Sequence, residues 1–207
     1  MAAIDHIVYA APNLAAGTAA VEALVGMSAA PGGPHPGMGT RNTLMSLGDD
    51  VYLEIIAPDP EQPDPPNGRP FDIDAMNEGR LITFAIHASD GETIEDVTAA
   101  MAACGEDPGP ISAMSRVKPD GEEIHWSLTM SAGPGLVPFV IEWGNTTHPA
   151  TVTPTGCTLV SLSGTHPDPD HIRALHSAIG IEVDVTAGDT VTFAATLDTP
   201  NGRVTLL

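Results

Sequence analysis

Two glutamates in the sequence interrupt apolar runs that are predicted to be strands. Glu54 follows Tyr-Leu and precedes Ile-Ile, and Glu142 follows Val-Ile and precedes Trp. A carboxylate buried in such a run needs a cation, hydrogen-bond donors or a proton to compensate for the loss of water. Each glutamate is therefore a candidate metal ligand or catalytic group. For Glu142, an ion pair with Arg41 or Arg116 would explain the residue equally well.

Two histidines also lie on predicted strands. His6 shares a strand face with Ile4 and Val8, a pattern that is equally typical of a hydrogen-bonded, half-buried histidine. His125 alternates with Glu123 on a polar face that meets either solvent or a cavity. In a cavity, His125 would be a candidate metal ligand or general base.

A glycine-rich segment leads into a strand with candidate substrate contacts. Gly37 and Gly39 permit tight backbone turns between His35 and the pair Arg41 and Asn42. The guanidinium of Arg41 could bind a substrate carboxylate through two parallel hydrogen bonds, although a structural ion pair is the commoner role of an arginine. We therefore predict that His35, Arg41 and Asn42 bind substrate.

The other histidines and the cysteines give weaker signals. Five histidines lie at strand ends, in loops or on a helix, where surface positions are the simpler interpretation: His87, His148, His166, His171 and His176. Near His166, Asp168 or Asp170 is explained as a helix N-cap. The two cysteines lack a CxxC spacing, which argues against a zinc knuckle or a disulfide scaffold.

Three stretches of the chain repeat one order of predicted elements: a strand, a helix and then further strands. The helices are predicted at 14–25, 91–104 and 170–179, and the strands before them at 4–10, 81–88 and 158–163. Residues 31–39 are predicted to be a loop, and residues 119–121 a turn. A single βαβββ module would leave its sheet largely uncovered, so the first two modules should pack together. We expect modules at about 1–66 and 67–150 and a shorter third module at 151–207.

Composition excludes several classes of function. The chain has 27 acidic and 7 basic residues, for a formal charge of −20, so nucleic acid and anionic membrane surfaces would repel it. No apolar run approaches the roughly 20 residues needed to span a bilayer, and the first residues lack a basic signal region, which predicts a cytoplasmic protein. The sequence also lacks a nucleophile elbow, a phosphate-binding glycine loop and a dinucleotide fingerprint.

Four strings of residues together resemble the glyoxalase-like domain family of the vicinal-oxygen-chelate superfamily. They are DHIVYA from Asp5, HPGMGTRN from His35, YLEIIAP from Tyr52 and LVPFVIEWG from Leu136. The resemblance covers about residues 3–150, and the third module is similar to the usual C-terminal extension of that family. It implies an α+β fold in which repeated βαβββ modules form a cupped mixed sheet with helices on its outer face.

The resemblance also implies a metal site, because the first and last strands of each module supply the ligands in that superfamily. The matching positions are His6, Glu54 and Glu142, which would hold a divalent ion such as Mn, Fe, Zn or Ni. Thr83 stands where a second histidine often lies, and a threonine hydroxyl is a poor ligand for these ions. His125 is the nearest substitute by residue type.

These observations lead to one main hypothesis and two alternatives. The main hypothesis is a metal-dependent lyase, isomerase or dioxygenase acting on a small oxygenated metabolite, with Glu142 and His125 as catalytic residues and Arg41 orienting an anionic group. The first alternative is a metal-free protein that binds or sequesters a small molecule in the same cup. The second treats the third module as a partner or dimer surface and the whole chain as an interaction protein, since its edge strands would permit pairing.

Overall fold

The computed structural model describes residues 1–89, 91–118, 121–130 and 135–207. Pro119 and Asp120 of the predicted turn lie outside the described residues. Within the described ranges the helices are α1 (Leu14–Val25), α2 (Ile94–Ala103) and α3 (Pro169–Ile179). The strands are β1 (Ala2–Ala10), β2 (Ala30–His35), β3 (Thr40–Ser46), β4 (Tyr52–Pro58), β5 (Arg80–Ala88), β6 (Ser112–Val117), β7 (Glu123–Leu128), β8 (Phe139–Glu142), β9 (Thr158–His166), β10 (Asp184–Ala187), β11 (Thr192–Thr199) and β12 (Gly202–Leu206).

Local hydrogen bonds explain where the helices begin and end. The side chain of Asn13 accepts from the backbone N–H of Ala16 before α1, and Gly26 ends that helix with a left-handed φ of 75°. Thr93 forms a capping box before α2. Asp168 caps α3, so of the two predicted N-caps, Asp168 and Asp170, the first is confirmed.

The first eight strands form one sheet in the order β2-β3-β4-β1-β5-β8-β7-β6. In each half the first strand pairs in parallel with the last, β1 with β4 and β5 with β8. The two halves meet where β1 and β5 pair antiparallel. The sheet therefore consists of two βαβββ modules side by side, and the predicted α+β fold with a cupped mixed sheet is confirmed.

The loop prediction for residues 31–39 is wrong over its first half, because β2 occupies residues 30–35. This strand contains Pro31 and Pro34, which cannot donate backbone hydrogen bonds to a neighbouring strand. It lies at the edge of the sheet, where only one side of the strand is paired. An edge position is where a sheet tolerates proline.

The last four strands form a second sheet in the order β10-β9-β11-β12. Its elements follow one another as β, α, β, β, β, like those of the first two modules. Its pairing differs, because β9 pairs in parallel with β10, the strand that directly follows α3. The division of the chain at residue 150 stays a prediction.

The apolar core fills the space between the convex face of the large sheet, the helices and the second sheet. Phe84 of β5 stacks on Phe193 of β11 at a centroid distance of 5.3 Å, so aromatic packing joins the two sheets. A smaller apolar cluster covers the concave face and includes Ile56, Trp126 and Phe139. No helix in the described ranges is long and apolar enough to cross a membrane.

Candidate functional site

A β-bulge turns two consecutive side chains of β1 away from the main core. In the pairing with β5, Ile4 lies opposite Ile86 and His6 opposite Ala85, so Asp5 is the additional residue. The side chains of Asp5 and His6 are both buried, and the Nδ1 atom of His6 lies 2.6 Å from the Oδ1 atom of Asp5. The carboxylate accepts, so Nδ1 carries the proton and Nε2 is left open.

The concave face of the large sheet encloses a cavity of about 680 Å³, counting the space at its open mouth. Polar groups gather on one part of its wall: His6, His35, Thr40, Asn42, Tyr52, Glu54 and Arg116. The remaining wall is apolar and contains Met38, Leu44, Ile56, Pro70, Phe71, Met114, Trp126, Leu128, Met130, Phe139, Ile141, Trp143 and Pro149.

Glu54 is held on this wall by an asparagine whose orientation is fixed. The Nδ2 atom of Asn42 donates to Oε1 of Glu54 at 2.6 Å, and the backbone N–H of Gly33 donates to the Oδ1 atom of Asn42 at 3.0 Å. Because Oδ1 accepts, the amide cannot be reversed without losing both hydrogen bonds. One carboxylate oxygen of Glu54 is thereby satisfied.

The same amide fixes the protonation of His35. The Nε2 atom of His35 lies 3.1 Å from the Nδ2 donor of Asn42, so it accepts, and Nδ1 donates to the hydroxyl of Thr40 at 2.9 Å. Burial lowers the pKa of His35, although the charge of Glu54 opposes that shift. His35 is therefore a neutral imidazole with both nitrogens engaged, and its predicted role as a direct substrate contact stays a prediction.

Two atoms of the polar wall are open, by which we mean that each has a lone pair that accepts no hydrogen bond from the described residues. The Nε2 atom of His6 lies 3.9 Å from Oε2 of Glu54, and neither atom forms a hydrogen bond within the described residues. The ring of Tyr52 stacks on His6 at a centroid distance of 4.5 Å and fixes its plane. Burial, together with the charges of Asp5 and Glu54, raises the pKa of Tyr52 well above its ordinary value, so the phenol stays protonated.

The pair of open atoms fits a divalent ion. With metal–ligand bonds of about 2.1 Å, two ligands of one ion lie at most about 4.2 Å apart. The 3.9 Å separation of His6 Nε2 and Glu54 Oε2 falls within that limit. The site offers two protein ligands and leaves further coordination positions to water or substrate.

Behind His6 lies a group of side chains around one carboxylate, which we call the Asp5 cluster: Asp5, His6, His87, Trp143 and His148. The Oδ2 atom of Asp5 lies 3.1 Å from Nδ1 of His87, Nε1 of Trp143 and Nε2 of His148. Burial alone would raise the pKa of Asp5, but hydrogen bonds from His148, His6 and His87 outweigh it and hold that pKa well below its usual range. Asp5 is thus an ionised carboxylate without contact to water.

The ligand atoms of Asp5, His87 and His148 lie within 4.8 Å of one another, a spacing that could hold a metal ion. The hydrogen bonds favour another interpretation. The backbone N–H of Ala150 donates to Nδ1 of His148 at 3.3 Å, so Nε2 of that ring carries the proton that it donates to Asp5. The indole N–H of Trp143 can only donate. The Asp5 cluster is therefore organised as donors around an acceptor.

Glu142 does not join His6 and Glu54. Ile141 and Trp143 face the cavity, and because strand residues alternate between faces, Glu142 points to the opposite side and is exposed. His125 is likewise exposed, and it lines a separate surface depression together with Glu142. Within the described residues Glu142 forms no ion pair with Arg41 or Arg116. The structure brings together two of the three predicted ligands.

The basic residue of the cavity is Arg116 of β6. The predicted anion-binding residue, Arg41, is not among the residues that line the cavity, and its guanidinium lies 3.8 Å from Asp59. Thr83, at the expected position of a second histidine, is buried and is not among the residues that line the cavity. Its hydroxyl has no hydrogen-bond partner among the described residues.

Comparisons with known proteins agree with this architecture. Residues 4–180 match the family model described as "Glyoxalase-like domain". The chain belongs to this glyoxalase-like domain family. A hypothetical protein from Staphylococcus aureus has the same fold, with a TM-score of 0.64 at 15% identity over 99% of this chain and 84% of that one. The predicted membership in the vicinal-oxygen-chelate superfamily is thereby confirmed.

Methylmalonyl-CoA epimerases of the same superfamily are more distant in structure. The enzyme from Mycobacterium tuberculosis has a TM-score of 0.43 at 13% identity, over 68% of this glyoxalase-like chain and 87% of its own. The enzyme from Streptomyces coelicolor has a TM-score of 0.43 at 17% identity, over 71% and 98%. No curated protein matches the sequence significantly.

Sequence reasoning missed the Asp5 cluster. It gave surface roles to His87 and His148, which are half-buried and donate to Asp5. The signal that could have pointed to Asp5 is its place beside His6, since two consecutive polar residues in an apolar strand mark a candidate bulge.

Proposed function

We propose that the chain is an enzyme that moves a proton on a small oxygenated metabolite bound in the cavity, with His6 and Glu54 at the reacting centre. One observation carries this proposal: the open Nε2 atom of His6 and the open Oε2 atom of Glu54 lie 3.9 Å apart on the polar part of the cavity wall, and the rest of that wall is apolar.

In the proposed reaction Glu54 is the base, and Asn42 and His6 have supporting roles. Oε2 of Glu54 accepts a proton from the carbon next to a substrate carbonyl, while Asn42 holds the other carboxylate oxygen in place. The electron pair of the broken C–H bond moves to the carbonyl oxygen, and return of the proton to carbon gives an isomer or the starting compound. His6, oriented by Asp5, has no proton on Nε2, so this atom would act as a metal ligand and not as a hydrogen-bond donor to the substrate oxygen.

A divalent ion held by His6, with Oε2 of Glu54 as a second ligand until that atom takes the proton, would supply Lewis acidity at that oxygen. The apolar wall would exclude water and strengthen each electrostatic contact. A lyase or isomerase type of reaction is favoured over a dioxygenase. The two-histidine, one-carboxylate site of iron dioxygenases needs a second histidine with a free nitrogen, and none lies beside His6 and Glu54 among the described residues. Both nitrogens of His35, which lies on the same wall, already form hydrogen bonds.

The cytoplasmic location of the protein stays a prediction.

The metal is tested by elemental analysis of protein purified without a histidine tag. We expect a divalent ion in the wild type and its loss in His6→Ala and in Glu54→Gln. Glu142→Gln is the matched control, because it makes the same chemical change on the opposite face of the sheet, and it should keep the ion. Loss of the ion in Glu142→Gln as well as in the other two variants would restore the ligand set predicted from the sequence.

The reaction is tested by solvent exchange. Wild-type protein in D₂O is mixed with a panel of 2-oxo carboxylic acids and hydroxyketones, and the loss of the proton next to the carbonyl is followed by NMR. We expect Glu54→Gln to slow this exchange by about 10²- to 10⁴-fold, the usual contribution of a general base. Equal exchange in Glu54→Gln and wild type would refute the proposal.

A second function is favoured by the apolar character of most of the cavity wall. A protein that only binds or sequesters a small molecule needs such a wall and no base. A wild type that stays free of metal after incubation with Mn, Fe, Zn and Ni, and that catalyses no exchange, would support this alternative.

A further inference from the structure

Arg116 differs from most other basic residues of this acidic chain. Five of the seven basic side chains pair with a carboxylate within 4 Å: Arg41, Arg69, Lys118, Arg173 and Arg203. Among the described residues Arg116 has no such partner, although it is half-buried and lines the cavity. The charge of Glu54 acts on Arg116 from beyond that distance, so the half-buried cation is only partly compensated by the protein.

One contact of Arg116 has a structural role. Its Nη1 atom donates to the backbone carbonyl of Gly32. Gly32 lies on β2 and Arg116 on β6, and these two strands are the opposite edges of the eight-stranded sheet. The hydrogen bond therefore closes the cup across its mouth. It uses one of the five N–H donors of a guanidinium, and among the described residues the other donors have no carboxylate within hydrogen-bond distance.

We infer that Arg116 binds the carboxylate of the substrate, and that the substrate is a monoanion with an apolar body. This inference rests on the proposed function only in taking the cavity as the substrate site. The remaining N–H groups of Arg116 can form the paired hydrogen bonds that a planar carboxylate accepts. One positive charge beside Glu54, in a chain of net charge −20, disfavours a second negative charge on the ligand.

The apolar wall defines the rest of the ligand. Trp126, Phe139 and Trp143 offer flat aromatic surfaces, and Met38, Met114 and Met130 are flexible side chains that adapt to ligand shape. These groups suit an aromatic or branched aliphatic body. Both tryptophans of the chain line the cavity, so their fluorescence reports binding directly.

The test compares two probes of nearly equal shape, phenylacetate and phenylacetamide, by titration of the tryptophan fluorescence. We expect the wild type to bind the acid more tightly than the amide. Arg116→Gln should weaken binding of the acid about 10- to 100-fold and leave binding of the amide unchanged, as loss of a charge-assisted contact predicts. Arg116→Lys should keep part of the preference for the acid.

Arg80→Gln is the matched control, because Arg80 is exposed, is not among the residues that line the cavity, and has no ion-pair partner among the described residues. It removes the same charge and should bind both probes like the wild type. Equal binding of acid and amide by the wild type, or no binding of either, would overturn the inference. Equal weakening of both probes by Arg116→Gln and Arg116→Lys would also overturn it, since only the closure of the cup would then be lost.

The inference and the proposed function can fail separately. Glu54→Gln should keep the preference for phenylacetate while it slows proton exchange. Phenyl phosphate, titrated in parallel, distinguishes a carboxylate site from a general anion site. Tighter binding of the phosphate than of the carboxylate would overturn the assignment to a monoanionic carboxylate.

Discussion

Replacement of Asp5 by asparagine tests how far one buried carboxylate stabilises the fold. The Oδ1 atom accepts from His6 at 2.6 Å, and Oδ2 accepts from three further donors, each at 3.1 Å. An asparagine presents an NH₂ group at one of these two positions. This NH₂ group then faces other N–H donors, either that of His6 or those of His87, Trp143 and His148.

The expected loss is large because no water can replace the missing acceptor. Asp5 is completely buried. Removal of one partner from a buried charged contact typically costs about 3–5 kcal/mol. For a chain of this length each kcal/mol lowers the melting temperature by about 2–4 °C, so we expect Asp5→Asn to melt about 6–20 °C below the wild type.

The assay is urea unfolding at pH 7, followed by both tryptophan fluorescence and circular dichroism. Asp198→Asn serves as the control, because Asp198 pairs with Arg203 on the surface and its loss should change the midpoint little. A free energy of unfolding for Asp5→Asn within about 1 kcal/mol of the wild type would refute the reasoning. It would mean that the Asp5 cluster can rearrange without its charge.

Two further predictions concern α3 and the second sheet. Burial lowers the pKa of His176, which donates to the carbonyl of Leu136, so below pH 6.5 the unfolded chain binds a proton that the folded chain does not. As the pH falls below 6.5, the free energy of unfolding of the wild type should therefore decrease by up to about 1.4 kcal/mol per pH unit relative to that of His176→Gln. Urea unfolding measures both free energies, and equal pH slopes would contradict this prediction. Gly164→Ala would bring a Cβ atom 2.2 Å from the carbonyl oxygen of Thr192, so we expect a loss of more than about 2 kcal/mol, and an unchanged melting temperature would contradict it.

The sequence predicted the elements better than their partners. Helix α1 has the predicted bounds because Asn13 and Gly26 give local signals at both ends. The strand β2 was missed because its prolines and glycines resemble a loop, and only its place at the sheet edge makes them acceptable. The pairing of β9 with β10 was beyond prediction, since strand order depends on contacts between distant parts of the chain.

The candidate site shows the same difference between local and distant signals. Glu54 was found because a carboxylate within an apolar strand is visible in the sequence alone. Glu142 has the same pattern, but its strand is apolar on both faces, so the sequence could not tell which face the glutamate occupies. Arg41 and Arg116 could not be ranked, because the partner of an arginine is set by the fold.

The Asp5 cluster connects stability to the chemistry of the site. Asp5 and His6 come from the first module, His87 and Trp143 from the second, and His148 from the segment that follows. One carboxylate therefore ties the modules together behind the cavity and also fixes the tautomer of His6. Asn42 does the equivalent for Glu54 from β3. The two open atoms thus each end a chain of satisfied hydrogen bonds, so they are oriented before any ligand arrives, and a ligand need not bear the cost of ordering them.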